Sequence, residues 1–225
     1  MENSLWLVWK QPNSRKRYVV GELTYDQKKY TFKYLKEYLE EAKENGFYNF
    51  PGFDDLEKEY ECEELFQNIL SRLPNKTRPD YLEILNFYDL DSTSTKMEIL
   101  KNTRGRLLTD NYEFVPVFNK QKLEFEVAGT THCVDFEKYR NMLEINENLI
   151  LEKEPNNKYD KYAIKIMFRT CKGTYHLGYV PRYYTKQLTE LLDKNIKYSA
   201  RIKYLKLESL LNDENITAEV KLIFE

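Results

Sequence analysis

Strand-like sequence occurs in two separate blocks of this chain, and that division restricts what it can fold into. The first block holds LWLVW, RYVVGEL and YTFKYL, each rich in β-branched or aromatic residues and separated by polar turns, which predicts a small antiparallel sheet. Helical spacing follows. KEYLEEAKEN stops at Gly46, a residue that tolerates the left-handed conformation of a helix end. The acidic run Asp54 to Glu64, seven acids with one lysine, reads as a solvated start to a helix over LFQNILSRL, whose Leu65, Phe66, Ile69, Leu70 and Leu73 share one face before Pro74. RPDYLEILNFY predicts a further helix with Pro79 in its first turn. KMEIL predicts another, opened by Thr95 and Glu98 at capping-box spacing.

The second block restarts after the polar segment Asn119-Lys120-Gln121-Lys122, which places a domain boundary there and gives domains at 1–118 and 122–225. KLEFEVA and NLILEKE read as strands, YAIKIMF and YHLGYV as a hairpin around Cys171 to Thr174, and YSARIKYLKL and TAEVKLIF as closing strands. VDFEKYRNML and YYTKQLTELLDKN supply two helices. The expected class is α+β, with a small antiparallel sheet packed with helices followed by a β-barrel-like domain carrying two helices.

Composition excludes several classes. The 225 residues are 41% hydrophobic, enough for real cores, and no apolar run approaches the roughly 18–20 residues of a membrane span. The start has an acidic residue at position 2 and its basic cluster after a short apolar core, so no secretory signal is read there. Three widely spaced cysteines, Cys62, Cys133 and Cys171, fit a reducing cytoplasm better than a disulfide framework. The net charge of −2 is uneven: residues 122–206 carry 16 Lys/Arg against 11 Asp/Glu, a local excess of five that permits phosphate binding.

The most informative stretch is EPNNKYDKYAI at 154–164. Asn-Asn followed by Asp is ordinary turn chemistry. The same segment also supplies Tyr159, Tyr179, Tyr183 and Tyr184 among Lys153, Lys158, Lys161, Arg182 and Lys186. A positive groove with aromatic faces is the chemistry that holds single strands, and tyrosines half-buried in a barrel core are the alternative. His132 and His176 with Cys133 and Cys171 include zinc-ligand types, but no paired CxxC or HxxxH spacing exists, and adjacent His132 and Cys133 point to opposite faces of an extended strand. No metal or cofactor is expected. Paired carboxylates for hydrolysis cannot be singled out among 37 acids.

Three motifs in order, Val127-Ala128-Gly129, then Leu149 through Ile164, then Leu177-Gly178-Tyr179-Val180-Pro181-Arg182, resemble the HIRAN domain over about residues 122–206. That resemblance implies a small barrel related to the OB type that grips the free 3′ end of single-stranded DNA. It further implies a corner at Asn157 to Asp160, with Tyr159 stacking on a terminal base and Asp160 accepting a hydrogen bond from the terminal hydroxyl. Arg182 would contact phosphate, and Lys153 and Tyr179 would line the same surface. His132 stands near where the family carries an aromatic, and imidazole stacks more weakly than a phenol.

Residues 6–90 resemble the small amino-terminal subdomain of HipA-type kinases, the toxins of bacterial toxin-antitoxin modules, through Val20 to Thr24, Tyr30 to Tyr34, Glu64 to Leu70 and Leu73-Pro74. The kinase core has no counterpart, and Gly105 lacks a second glycine at phosphate-loop spacing, so no enzymatic activity is expected. The joint expectation is a cytoplasmic, non-enzymatic protein of bacterial or phage type that binds single-stranded DNA. The alternative is a protein-interaction module that regulates a HipA-like toxin kinase or another defence component, in which the acidic run 54–64 could dock a basic partner.

Overall fold

The computed structural model describes residues 4–130, 133, 139–205 and 216–224. Its architecture is α+β, in two compact units, Met1–Val117 and Phe118–Glu225. No described helix is long and apolar enough to cross a membrane.

The first unit is a five-stranded antiparallel sheet in the order β4-β3-β2-β1-β5. Its strands are β1 (Ser4–Lys10), β2 (Arg17–Tyr25), β3 (Tyr30–Tyr34), β4 (Tyr60–Cys62) and β5 (Tyr112–Pro116). Leu5 to Trp9 are all buried, as a strand with a neighbour on each side and cover over both faces requires. Four helices accompany the sheet: α1 (Lys36–Glu44), α2 (Gln67–Leu70), α3 (Tyr81–Phe87) and α4 (Lys96–Thr103). The capping box forms, with Thr95 Oγ1 accepting from the Glu98 amide and the Glu98 carboxylate accepting from the Thr95 amide. Gly46 closes α1 at φ +95°.

Three expectations fail in detail. Strand β5 escaped the sequence reading: YEFVP is short and ends in proline, and its strand character comes from pairing with β1. The acidic run is not itself the start of a helix, and α2 begins only at Gln67. Tyr60 to Cys62 instead pair with β3 at the sheet edge, where Tyr60 packs on the buried core. Pro79 lies two residues ahead of α3, outside its first turn, and α2 is a single turn. The predicted apolar face survives, with Leu65 and Ile69 buried and Phe66, Leu70 and Leu73 packed against the core.

The second unit comprises β6 (Lys122–Glu126), β7 (Leu149–Lys153), β8 (Ile164–Thr170), β9 (Gly173–Tyr179), α5 (Arg182–Asp193), β10 (Lys197–Leu205) and β11 (Ile216–Ile223). Two three-stranded antiparallel sheets, β10-β11-β6 and β7-β8-β9, join at both seams. At one seam the Ala128 and Tyr179 amides each donate to the other's carbonyl at 2.8 Å. At the other, the Asn146 amide donates to the Ile202 carbonyl and the Ile202 amide to that of Glu147. The two sheets thus meet along both pairs of edges through short bridges, a barrel-like arrangement. Leu123, Phe125, Ile164, Ile166, Phe168, Ile202 and Val220 are buried in it, and α5 buries Tyr183, Tyr184, Thr185 and Leu188. Residues 134–138 of the helix predicted over VDFEKYRNML lie outside the described residues, and Arg140–Met142 make one 3-10 turn.

Candidate nucleic-acid interface

The turn between β7 and β8 is built from its own side chains. Asn157 Oδ1 accepts from the amides of Tyr159 at 2.9 Å and Asp160 at 3.2 Å, an Asx turn that folds the chain back on itself. Asn157 Nδ2 donates to Glu154 Oε2 at 2.7 Å. Asp160 Oδ1 caps the Tyr162 amide at 2.9 Å, and Asp160 Oδ2 accepts from the Thr185 hydroxyl on α5 at 2.8 Å. The Glu154 amide donates to the Ala163 carbonyl, so the loop is tied at its base.

Held from behind in this way, the corner presents Tyr159 outward. Its ring is 65% exposed, with Lys158 Nζ 4.7 Å from the ring centroid. The second aromatic is Tyr179 at the end of β9, half-buried, whose hydroxyl donates to Glu154 Oε2 at 3.1 Å. Burial and the adjacent Glu154 carboxylate raise the Tyr179 phenol to about 12. Lys165 closes on Glu154 Oε1 at 2.7 Å and, with Asn157 and Tyr179, holds that carboxyl below its usual range. Glu154 is therefore the hub that joins Asn157 to Tyr179. Neither Glu154 nor Thr185 was singled out from sequence: a glutamate before a proline and a threonine within YYTKQ carry no distinguishing mark.

The other predicted residues divide. Arg182 opens α5, and the Thr185 hydroxyl lies 2.8 Å from its carbonyl. Lys153 pairs instead with Asp193, about two helical turns along α5 from Thr185. His132 lies outside the described residues. Tyr183 and Tyr184 correct the sequence reading: both are buried on α5, with Tyr184 6.1 Å from the Phe125 ring, and offer no stacking face. His176 is a structural residue. Its Nε2 lies 2.9 Å from the Gly178 carbonyl and its Nδ1 3.7 Å from Cys133 Sγ, and burial lowers its pKa. The thiol is likewise buried and pushed up to about 11, which removes thiolate chemistry there. No described group of three His, Cys, Asp or Glu is placed to hold a metal.

The geometry brings the three sequence motifs to one end of the barrel. Val127-Ala128-Gly129 bridges Tyr179, Tyr179 reaches the corner through Glu154, and the corner docks on α5 through Asp160. Residues 120–221 match the family model of the HIRAN domain. The matched segment is similar to the crystal structure of the HIRAN domain of human HLTF, at 19% identity over 45% of this chain and 74% of that one, with a TM-score of 0.35. A Lactobacillus plantarum protein of known structure is similar at 20% identity over 45% of this chain and 92% of that one, again with a TM-score of 0.35. No curated protein matches the chain.

The lock between α5 and the corner at Asn157 to Asp160 can be measured. Thr185 is 2% exposed and its hydroxyl bonds a carboxylate, so Thr185→Val, which keeps the shape, is expected to destabilise the second unit by about 1.5 kcal/mol in urea unfolding.

Proposed function

We infer that the second unit binds single-stranded DNA at its 3′ end, without catalysis. The observation that carries this reading is the exposed Tyr159 ring on a corner locked behind it by Asn157, Asp160 and Glu154. An aromatic face that needs no reordering offers a terminal base a stacking platform, a contact that contributes about 1–3 kcal/mol. Asp160 engages one donor through each oxygen, and an ionised carboxylate has about four acceptor sites, so it retains capacity for a terminal hydroxyl. Lys158 and Lys161 lie on the corner itself, over the Tyr159 and Tyr162 rings, and supply positive charge of the kind a phosphate chain requires. The HIRAN match supports the same assignment.

Fluorescence anisotropy with labelled oligonucleotides ending in a 3′-hydroxyl or a 3′-phosphate tests it. Tyr159→Ala is expected to weaken binding of the hydroxyl end by at least fivefold with no change in melting temperature, because the ring is largely outside the core. Equal affinity of Tyr159→Ala and wild type, or equal affinity for both ends, overturns the assignment of the corner.

A second reading concerns the first unit. The acids Asp54, Asp55, Glu59 and Glu63 are exposed beside β4, while Glu57, Glu61 and Glu64 pair with Lys36, Lys29 and Lys96. We propose that this surface docks a basic protein partner, the role implied by the HipA-subdomain resemblance. Affinity capture with wild type and with Asp54, Asp55, Glu59 and Glu63 neutralised tests it, and an unchanged set of captured proteins removes it.

A further inference from the structure

The outward face of β10-β11-β6 has an unusual charge arrangement. Its register sets Lys122 opposite Lys221 and Glu124 opposite Glu219, two like-charged pairs side by side, each unfavourable alone. The face is reconciled by placing the acids beneath the bases. Glu219 is only 3% exposed and is capped by Lys122 at 2.9 Å, Arg201 at 2.8 Å and Lys221 at 3.4 Å. Those three cations keep between 44% and 50% of their side chains in solvent. What water meets on this face is therefore ammonium and guanidinium, although the residue count is more nearly balanced.

At the end of this face where β6 begins, a shallow groove of about 550 Å³ is lined by Lys122, Ser199, Lys221, Leu222, Ile223 and Phe224. Ile223 and Phe224 are about half exposed at its wall. Two facing lysines and a hydroxyl suit a phosphate, and an exposed phenyl ring beside them suits a base. The corner occupies the opposite end of β6, because Ala128, just past that strand, bridges Tyr179. Six residues from Lys122 to Ala128 at about 3.3 Å each put roughly 20 Å between the two ends. At about 3.4 Å per stacked nucleotide that separation corresponds to about six nucleotides.

We propose that this groove is a second subsite for the same single strand, taking a phosphate and base several nucleotides upstream of the end held at the corner. The inference rests on the corner reading and extends it. A strand long enough to reach both sites is held twice, whereas one of three nucleotides is held once. The second engagement becomes intramolecular and strengthens binding with no change at the corner.

The test compares anisotropy of three- and fifteen-nucleotide oligothymidylates on wild type, Tyr159→Ala and the groove variant Lys221→Gln with Phe224→Ala. Lys122 and Arg201 remain on Glu219 in that variant, so the sheet keeps its buried carboxylate paired, and a melting curve checks the fold. The groove variant is expected to lose at least fivefold on the long strand and nothing on the short one. Its salt dependence of log affinity is expected to be shallower by about 0.7, the value of one phosphate contact on a single strand. Equal binding of the long strand by wild type and the groove variant, with Tyr159→Ala still impaired, overturns the groove alone. Absence of binding by wild type at either length removes the corner reading and this subsite with it.

Discussion

Glu113→Gln is expected to destabilise the first unit by about 3–5 kcal/mol, because it strips the counter-charge from a cluster of arginines. Glu113 lies on β5 and is 4% exposed. Arg17 Nε from β2 reaches it at 2.8 Å, Arg106 Nη2 at 2.6 Å and Arg104 Nη1, just past α4, at 3.5 Å. One carboxylate thus ties β2, β5 and the end of α4. Burial alone pushes the carboxyl up, but Arg106, Arg17 and Arg104 outweigh it and hold the group down at about 2, against 4.5 for the free side chain. A folded-state pKa below the unfolded one stabilises at pH above the unfolded value, and that contribution is lost as pH falls through the folded value. The difference of roughly 2.5 units corresponds to about 3 kcal/mol, present above about pH 4.5 and absent below about pH 2. Urea midpoints of wild type and Glu113→Gln at pH 7 and at pH 2.5 check both statements. The gap between the two proteins should narrow markedly at the lower pH, and a constant gap contradicts the electrostatic account.

Gly178→Ala is expected to cost the second unit about 3 kcal/mol. Gly178 has φ +147°, which side chains rarely adopt, and an added Cβ would sit 2.5 Å from the Ala128 carbonyl oxygen and 2.7 Å from Val127 Cγ1. The contact is mostly backbone and cannot swing aside. It also lies beside the Ala128–Tyr179 bridge, so relief of the clash opens the seam between the two sheets. Gly173 separates the two causes. It has nearly the same φ of +146° with nothing within 4 Å of an added Cβ, so Gly173→Ala carries the conformational cost without the clash, about 1 kcal/mol. Thermal unfolding of the two variants side by side is the measurement. Similar losses for both would show that close packing at the seam contributes nothing.

The corner shows where sequence reading works. Asn157 followed at two and three residues by Tyr159 and Asp160 announces an Asx turn, because the chemistry is local and a side chain bonds amides next to it. Capping of α4 by Thr95 and Glu98 was legible for the same reason. Strand β5 was not, since YEFVP becomes a strand only when β1 offers its edge. Tyr183 and Tyr184 have the composition of a stacking surface. They became core because α5 turns that face inward, a choice made by its packing against Phe118 and Phe125 rather than by the residue type. Lys153 shows the same limit, for its ion pair with Asp193 depends on where α5 packs.

The sequence by itself determined most strands and helices of both units other than β4 and β5, the α4 cap and the corner turn, and the three motifs of the second unit, since each depends on periodicity or on contacts within a few residues. Only the tertiary structure decided that the two β-sheets meet in a barrel-like arrangement, that Glu154 joins Asn157 to Tyr179, and that Thr185 braces Asp160. It also decided that cations cover Glu219 on the outer face. Apart from the local contacts of Asn157 with Glu154 and of Lys221 with Glu219, these pairings join residues from 18 to nearly 100 positions apart. Such pairings follow from how complete faces bury together, a property that no short stretch of sequence contains.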